Sequence, residues 1–248
     1  MSNQELSPLQ LKIKKNLAEI RRIIDHAAQI SGRNADEISI LAISKRQPME
    51  VIEAAYHCGQ LAFGESYVQE ALEKMAHFQE LKDIRWNMVG HIQSRKARDV
   101  AEKFHAVHSL DSLKLATLLN QYRPPELSLL EVFLEVNIGD ESSKTGFPAS
   151  NEEDWEALVG VVESILRLER LKLVGLMAMP PLFPDSQQSR PYFQKLRELS
   201  DYINYRVKKA ALTQLSAGTS TDFDVAIEEG ATIVRIGERL LGPRRYSG

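Results

Sequence analysis

Eight short β-type runs alternating with amphipathic helical patterns predict a parallel sheet closed into a (β/α)8 TIM barrel, an α/β fold, preceded by one extra helix. Three observations carry that expectation. The strand-like runs fall at 38–44, 61–63, 84–89, 106–110, 130–138, 171–179, 214–217 and 232–236, mostly with short connections. Between them a helical period recurs at 49–58, 67–81, 94–104, 112–121, 151–168, 188–208 and 223–229. Finally, 248 residues that are 43% hydrophobic and 26% charged suffice for one core of barrel size, so residues 1–248 are expected to form a single domain.

The chain begins with a helix. Ser7 is placed to N-cap it, Pro8 takes the first helical position, and Gln10 completes a capping box. Ile13, Leu17, Ile20, Ile24 and Ala27 then share one face up to Gly32, so residues 1–34 are expected to pack as an additional helix on the barrel. The first strand, Ile38-Ser39-Ile40-Leu41-Ala42-Ile43-Ser44, is closed by Lys45-Arg46-Gln47-Pro48, which cannot continue it. An open doubly wound sheet is the alternative, but Ser44-Lys45-Arg46 stands where its Gly-rich dinucleotide fingerprint would follow the first strand. Pro180-Pro181-Leu182-Phe183-Pro184-Asp185, after the sixth strand, is too Pro-rich for regular structure and reads equally as a lid or a surface connection.

Composition narrows the function classes. A net charge of −3 gives no reason for broad adhesion to nucleic acid or an anionic membrane, although a small anion could be held locally. Met1-Ser2-Asn3-Gln4-Glu5 lacks the basic start and apolar core of a signal peptide, and no apolar stretch approaches bilayer-spanning length, so a cytoplasmic protein is expected. The single cysteine, Cys58, can form no internal disulfide and is expected as a buried or half-buried helix residue. Neither it nor His57 and His77 has ligand spacing, so no metal is expected. A barrel closes its own sheet edges, which favours a monomer.

In such barrels the chemistry gathers on the residues that follow each strand. Here they are Lys45, then Gly64-Glu65-Ser66, Gly90-His91-Ile92-Gln93, Asn137, Met179, Ser216-Ala217-Gly218-Thr219-Ser220 and Arg235-Ile236-Gly237. An amine at that edge can act as a Schiff-base nucleophile where its surroundings depress its pKa. The small residues Ser216 to Ser220, a helix from about Thr221, and Ile236 and Gly237 place N–H groups and hydroxyls at the recurrent phosphate position of these barrels. They fit a plain turn with a helix cap equally well. Alternation sends Arg235 to the side opposite Val234 and Ile236, and the cost of an unpaired buried guanidinium favours the barrel mouth. An amine, an anion cradle and an arginine between them fit a phosphorylated aldehyde. By contrast Arg95-Lys96-Ala97-Arg98 reads as a solvated helix face, and Lys144 as a loop lysine beyond the fifth strand.

Ordered motifs run the length of the chain. They are Ala42-Ile43-Ser44-Lys45, Phe63-Gly64-Glu65-Ser66-Tyr67-Val68-Gln69-Glu70, Trp86-Asn87-Met88-Val89-Gly90-His91-Ile92-Gln93-Ser94, His108-Ser109-Leu110-Asp111, Val136-Asn137-Ile138, Lys144-Thr145-Gly146, Gly175-Leu176-Met177-Ala178-Met179, Leu215-Ser216-Ala217-Gly218-Thr219-Ser220 and Val234-Arg235-Ile236-Gly237. In these the chain resembles the pyridoxal phosphate homeostasis protein family. The resemblance implies a barrel like the N-terminal domain of alanine racemase, binding pyridoxal 5′-phosphate (PLP) as an internal aldimine on Lys45 without appreciable turnover. It implies a phosphate at Ser216, Ser220 and Gly237 and an Arg235 facing the pyridine nitrogen, where a cation discourages ring protonation and weakens the ring as an electron sink. Ser66, Asn137, Met179, Gly218, Thr219 and Ile236 complete the expected cofactor-binding set, and no residue is assigned a catalytic role. A part in vitamin B6 homeostasis follows, with PLP-requiring apo-enzymes as candidate partners.

The chain departs from the family pattern at Ser66, Asn87 and Ala217, where asparagine, histidine and methionine are usual, and at Arg95, where asparagine is frequent. Two other readings compete. A PLP-dependent fold-type III racemase or lyase would use Lys45 as a base and need an opposing acid or base, for which His91, Tyr67 and His108 are the candidates. A cofactor-free aldolase-type enzyme would use Lys45 as a nucleophile on a phosphorylated sugar.

Overall fold

A computed structural model describes residues 6–139 and 145–244; Lys144 lies outside the described residues. In chain order the strands are β1 (Ser39–Ile43), β2 (Ala62–Glu65), β3 (Arg85–Met88), β4 (Ala106–Leu110), β5 (Leu130–Asn137), β6 (Phe147–Pro148), β7 (Leu171–Met177), β8 (Gln214–Ser216) and β9 (Ile233–Ile236). Every pairing is parallel. β1 pairs with β2 in the register Ala42↔Phe63 and with β9 in the register Leu41↔Arg235, while β4 pairs with β5, so eight strands form a closed ring. The two-residue β6 is an appendage on the end of β5 that the sequence pattern did not mark, because a pair of residues leaves no alternation to read.

The helices are α1 (Pro8–Ile30), α2 (Met49–His57), α3 (Val68–His77), α4 (Ala97–Lys103), α5 (Leu113–Tyr122), α6 (Glu152–Ile165), α7 (Arg190–Arg206), α8 (Phe223–Glu228) and α9 (Glu238–Leu241). α9 was not expected: four residues are too few to establish a helical period. The capping box of α1 forms as expected, with Gln10 N donating to Ser7 Oγ at 3.2 Å and Ser7 N to Gln10 Oε1 at 2.8 Å. Ile13, Ile20, Ile24 and Ala27 are buried on the face that lies against α8, α2 and α9. Asn16 Nδ2 donates to Leu240 O at 2.9 Å, and Arg33 Nη1 to Ile227 O and Ala231 O at 2.9 Å. Cys58 is half-buried at the end of α2. No helix of the described residues is long and apolar enough to cross a membrane.

Alternation along β5 sorts the core. Leu130, Val132, Leu134 and Val136 face the helices, in the large apolar cluster between barrel and helical layer. Phe133 faces inward and packs with Val174 and Met177 inside the ring. Leu41, of opposite parity to the helix-facing Ile40 and Ala42, also lies inside, and the polar residues of the interior include Asn87, His108, Ser216 and Arg235, all buried. They form one chain of hydrogen bonds. Arg235 Nη1 donates to Ser216 Oγ at 3.0 Å, Ser216 Oγ lies 2.9 Å from His108 Nδ1, and His108 Nε2 lies 3.3 Å from Asn87 Oδ1. Since Asn87 Nδ2 donates to Arg85 O and Phe63 O, its Oδ1 is the acceptor, which makes Nε2 the protonated nitrogen of a neutral imidazole. Burial, and secondarily the charge of Arg235, push the His108 pKa down to about 3.

That shift sets a pH dependence. A histidine held neutral in the fold and titrating normally in the unfolded chain supports the fold fully above about pH 6.5 and withdraws that support as pH falls toward 3. At pH 5 the loss is about 2 kcal/mol. Urea unfolding at pH 7.5 and pH 5 should show this loss for the native sequence and a loss smaller by about that amount for His108→Gln.

Candidate functional site

The C-terminal mouth of the barrel holds a cavity of about 730 Å³. Its wall includes Lys45 after β1, Ser66 and Tyr67 after β2, Val89, Gly90 and His91 after β3, Glu135 from β5, Met179 and Leu182 after β7, Thr219, Ser220 and Thr221 after β8, and Arg235, Gly237, Glu238 and Arg244 around β9 and α9. Of the residues expected to bind a cofactor, Lys45, Ser66, Met179, Thr219, Ser220, Arg235 and Gly237 are thus brought together. Gly90 makes the narrow approach between the second and third loops possible, since a Cβ there would lie 2.3 Å from Ser66 O.

Lys45 is half-buried, and among the described residues its amine makes no hydrogen bond or ion pair. Burial lowers its pKa, and the charges of Arg244 and Arg46 lower it further against the opposing pull of Glu65 and Glu70. The amine is therefore more nucleophilic at neutral pH than an exposed lysine.

Arg235 points inward, as its cost of burial suggested. Its Nη1 donates to Ser216 O at 2.5 Å and its Nη2 to Ala178 O at 2.9 Å. Burial pushes its pKa down to about 10, so it remains a cation at neutral pH. On the wall beside it stands Glu135, whose pKa is raised chiefly by burial and whose Oε1 accepts from Thr145 Oγ1 at 2.7 Å.

The remaining expected residues lie elsewhere. Ser216 is fully buried beneath the cavity, its hydroxyl taken up between Arg235 and His108. Ile236, adjacent to Arg235 in the strand, turns outward into the apolar cluster. Gly218 has φ +85° and packs so close to α8 that a Cβ would lie 2.7 Å from Ala226 Cβ; its place in the loop is structural. Asn137 ends β5 beyond Glu135, and its carbonyl accepts from Ala149 N at 3.2 Å. Within the cradle itself, Thr219 spends both donors on Asp222 Oδ1, N at 2.7 Å and Oγ1 at 2.9 Å, which leaves Ser220, Thr221 and the Gly237 backbone as the donors nearest the opening. Of the positions that depart from the family pattern, only Ser66 lines the cavity. Ala217 is buried in the helix-facing core, and Asn87 faces a separate cavity of about 360 Å³ at the opposite end of the barrel.

Sequence reasoning missed Glu135 and Arg244. Inward alternation on the fifth strand could have found the first. Arg244 had no such signal, because its place depends on α9 turning the chain back over the cavity; a Cβ on Gly237 would sit 3.2 Å from Arg244 Nη2. The three candidate acids or bases separate clearly. His108 is locked in the interior, whereas Tyr67 and His91 line the rim, His91 Nδ1 lying 2.8 Å from Asp111 Oδ2.

Comparison with known proteins adds three findings. The family model of the alanine racemase N-terminal domain matches residues 12–245. The pyridoxal phosphate homeostasis protein of Escherichia coli K12 is 41% identical over 238 residues, covering 95% of this chain and 98% of that protein, and its Pseudomonas aeruginosa counterpart is 41% identical over 234 residues, covering 94% and 96%. PipY of Synechococcus elongatus, solved with PLP bound, superposes with a TM-score of 0.79 at 29% identity over 93% of this chain and 100% of that one. On this extent of agreement the chain belongs to the pyridoxal phosphate homeostasis protein family, built on the alanine racemase N-terminal domain.

Proposed function

We propose that this protein binds PLP at the barrel mouth and takes part in vitamin B6 homeostasis, with Lys45 as the covalent anchor and without appreciable turnover. The observation that carries the reading is one cavity with a free, pKa-lowered lysine on one wall and an anion-binding corner on another. The residues present fit the group. Arg244 has a buried Nε with no hydrogen-bond acceptor among the described residues, the Glu238 carboxylate standing 3.8 Å away as its ion-pair partner, and beside it Gly237 leaves the space a Cβ would fill. Ser220, Thr221, Gly237 and Arg244 would hold the phosphate; Arg235 would face the ring nitrogen, with Ser66 and Met179 along the cofactor's flanks. When bound, the cofactor supplies a carbonyl carbon for the lysine and an electron-withdrawing ring. Around it, Arg235 keeps a fixed positive charge in the barrel that opposes ring protonation, offset in part by Asp222 and secondarily by Glu135.

Support for the absence of turnover is the position of the candidate acids and bases. His108 is neutral and fully engaged below the site, and Tyr67 and His91 stand on an exposed rim. Residues 1–248 are read as one cytoplasmic, monomeric barrel domain, with PLP-requiring apo-enzymes as recipients of the cofactor.

Titration with PLP followed by borohydride reduction and peptide mapping tests the binding: one equivalent trapped on Lys45 is expected, and trapping spread over surface lysines would overturn it. In the same samples, incubation with L-alanine in D2O should show no exchange of the Cα proton above that of free PLP. Exchange well above that level would favour the racemase or lyase reading.

A further inference from the structure

Lys45 sits in a turn that its own sequence does not favour. Gln47 N donates to Ser44 O at 3.0 Å, closing a four-residue turn with Lys45 second and Arg46 third. Arg46 has φ +58°, the one positive φ at a residue other than glycine among those described. A long side chain in the left-handed region is strained, and such a residue persists only when its surroundings fix it.

The surroundings are a buried charge cluster from the next βα unit. Lys74, on α3, is 2% exposed and gives all three of its amine hydrogens to fixed acceptors: Ser44 O at 2.6 Å, Glu65 Oε1 at 2.7 Å and Glu70 Oε1 at 2.7 Å. Glu65, 0% exposed at the end of β2, accepts from Ser44 Oγ at 2.6 Å through the same oxygen. Glu70 accepts from Arg46 N at 2.5 Å. Ser44 O, Ser44 Oγ and Arg46 N, on either side of Lys45, are therefore each held by a member of the Glu65–Lys74–Glu70 cluster, yet no member lines the cavity. A buried ion pair is a costly way to stabilise a fold, because desolvation offsets most of the attraction. Its geometric specificity is what this arrangement gains.

We infer that Lys74, with Glu65 and Glu70, is a positioning device: it clamps the strained Ser44–Gln47 turn so that the Lys45 amine is presented to the cavity before any ligand arrives. The inference rests on the reading of Lys45 as the anchor, and its test works with or without cofactor.

The experiment is competitive labelling of lysines with acetic anhydride over about pH 6 to 11, mapped by mass spectrometry, on the native protein, Lys74→Met, Glu70→Gln and the double variant Lys74→Met/Arg46→Gly. Circular dichroism checks that each is folded. Native Lys45 should label along a profile displaced to lower pH than the exposed lysines. In Lys74→Met that profile should move back toward theirs, and PLP uptake should slow about tenfold. Glycine adopts the left-handed conformation without strain, so Arg46→Gly should recover uptake in the double variant. A folded Lys74→Met that labels Lys45 along the native profile, or a double variant with no recovery, overturns the clamp. Should Lys74→Met fail to fold, the half-buried Glu70 decides: loss of its charge alone moves the Lys45 profile to lower pH, so a Glu70→Gln profile that does not move toward the exposed lysines overturns the clamp as well. If the labelling shift appears but native protein traps no PLP on Lys45, the cofactor reading falls and the clamp stands.

Discussion

Lys45→Ala eliminates borohydride-stable incorporation of PLP and the absorption band of the lysine adduct, and raises the dissociation constant at least about a hundredfold, or ~2.7 kcal/mol. Lys45 is the one lysine on the cavity wall among the described residues, so none of the other described lysines is placed to substitute. What remains is non-covalent contact with Ser220, Gly237 and Arg244, which predicts weak, phosphate-dependent binding that pyridoxal alone does not show. Lys172→Ala is the control, since that lysine pairs with Glu131 on the surface and should trap nothing in the native protein. The pH profile carries a sign. Burial and the Arg244 and Arg46 charges lower the Lys45 pKa, so adduct formation persists below the pH at which an exposed lysine would be fully protonated. Arg244→Met removes one of those charges and should shift the onset to higher pH while weakening phosphate-dependent affinity. An onset that does not move would contradict the placement of Arg244 beside the amine.

Arg235→Met costs about 2–4 kcal/mol of stability, with a fall in melting temperature of around 10 °C for a chain this size. The guanidinium donates to Ser216 O, Ser216 Oγ and Ala178 O inside the barrel, and methionine fills the volume while removing all three bonds and leaving Ala178 O without a donor. Binding should change in kind as well as in strength. Without the fixed cation the ring nitrogen protonates more readily, so PLP bound to the variant should absorb differently across neutral pH and support measurable Cα exchange with amino acids. An unaltered melting temperature in the folded variant would show that Arg235 is not integral to the interior chain. The stability loss belongs to the apo protein and is measurable without cofactor.

The barrel was legible in the sequence because a strand and a helix leave different periods, and eight alternations of them admit few topologies. Lys45 and Gly237 could be placed from order alone, since in a closed parallel barrel the end of each strand is the active face. Arg235 needed one further step, the parity of a four-residue strand and the cost of burying its charge. What escaped was tertiary. The direction of Ser216 is set by competition between the cradle and the hydrogen-bond chain through His108. The engagement of Thr219 with Asp222 depends on a loop whose conformation no period encodes. Arg244 reaches the site through a short terminal helix whose four residues look unremarkable in sequence. Asn87 likewise belongs to the barrel's opposite end, although its neighbours in the motif line the mouth.

The closing pair of strands has a consequence for synthesis. β1 finds its partner β9 across almost the whole chain, and the anion-binding corner is carried by residues 219–244, tied back through Gln47 Nε2 to Gly242 O at 2.8 Å and Asn16 Nδ2 to Leu240 O at 2.9 Å. A nascent chain paused on the ribosome after the seventh barrel strand thus carries Lys45 without the residues proposed to hold the phosphate. On the proposed reading, capture of cofactor would report that translation has passed residue 244, and a truncated product is expected to stay empty.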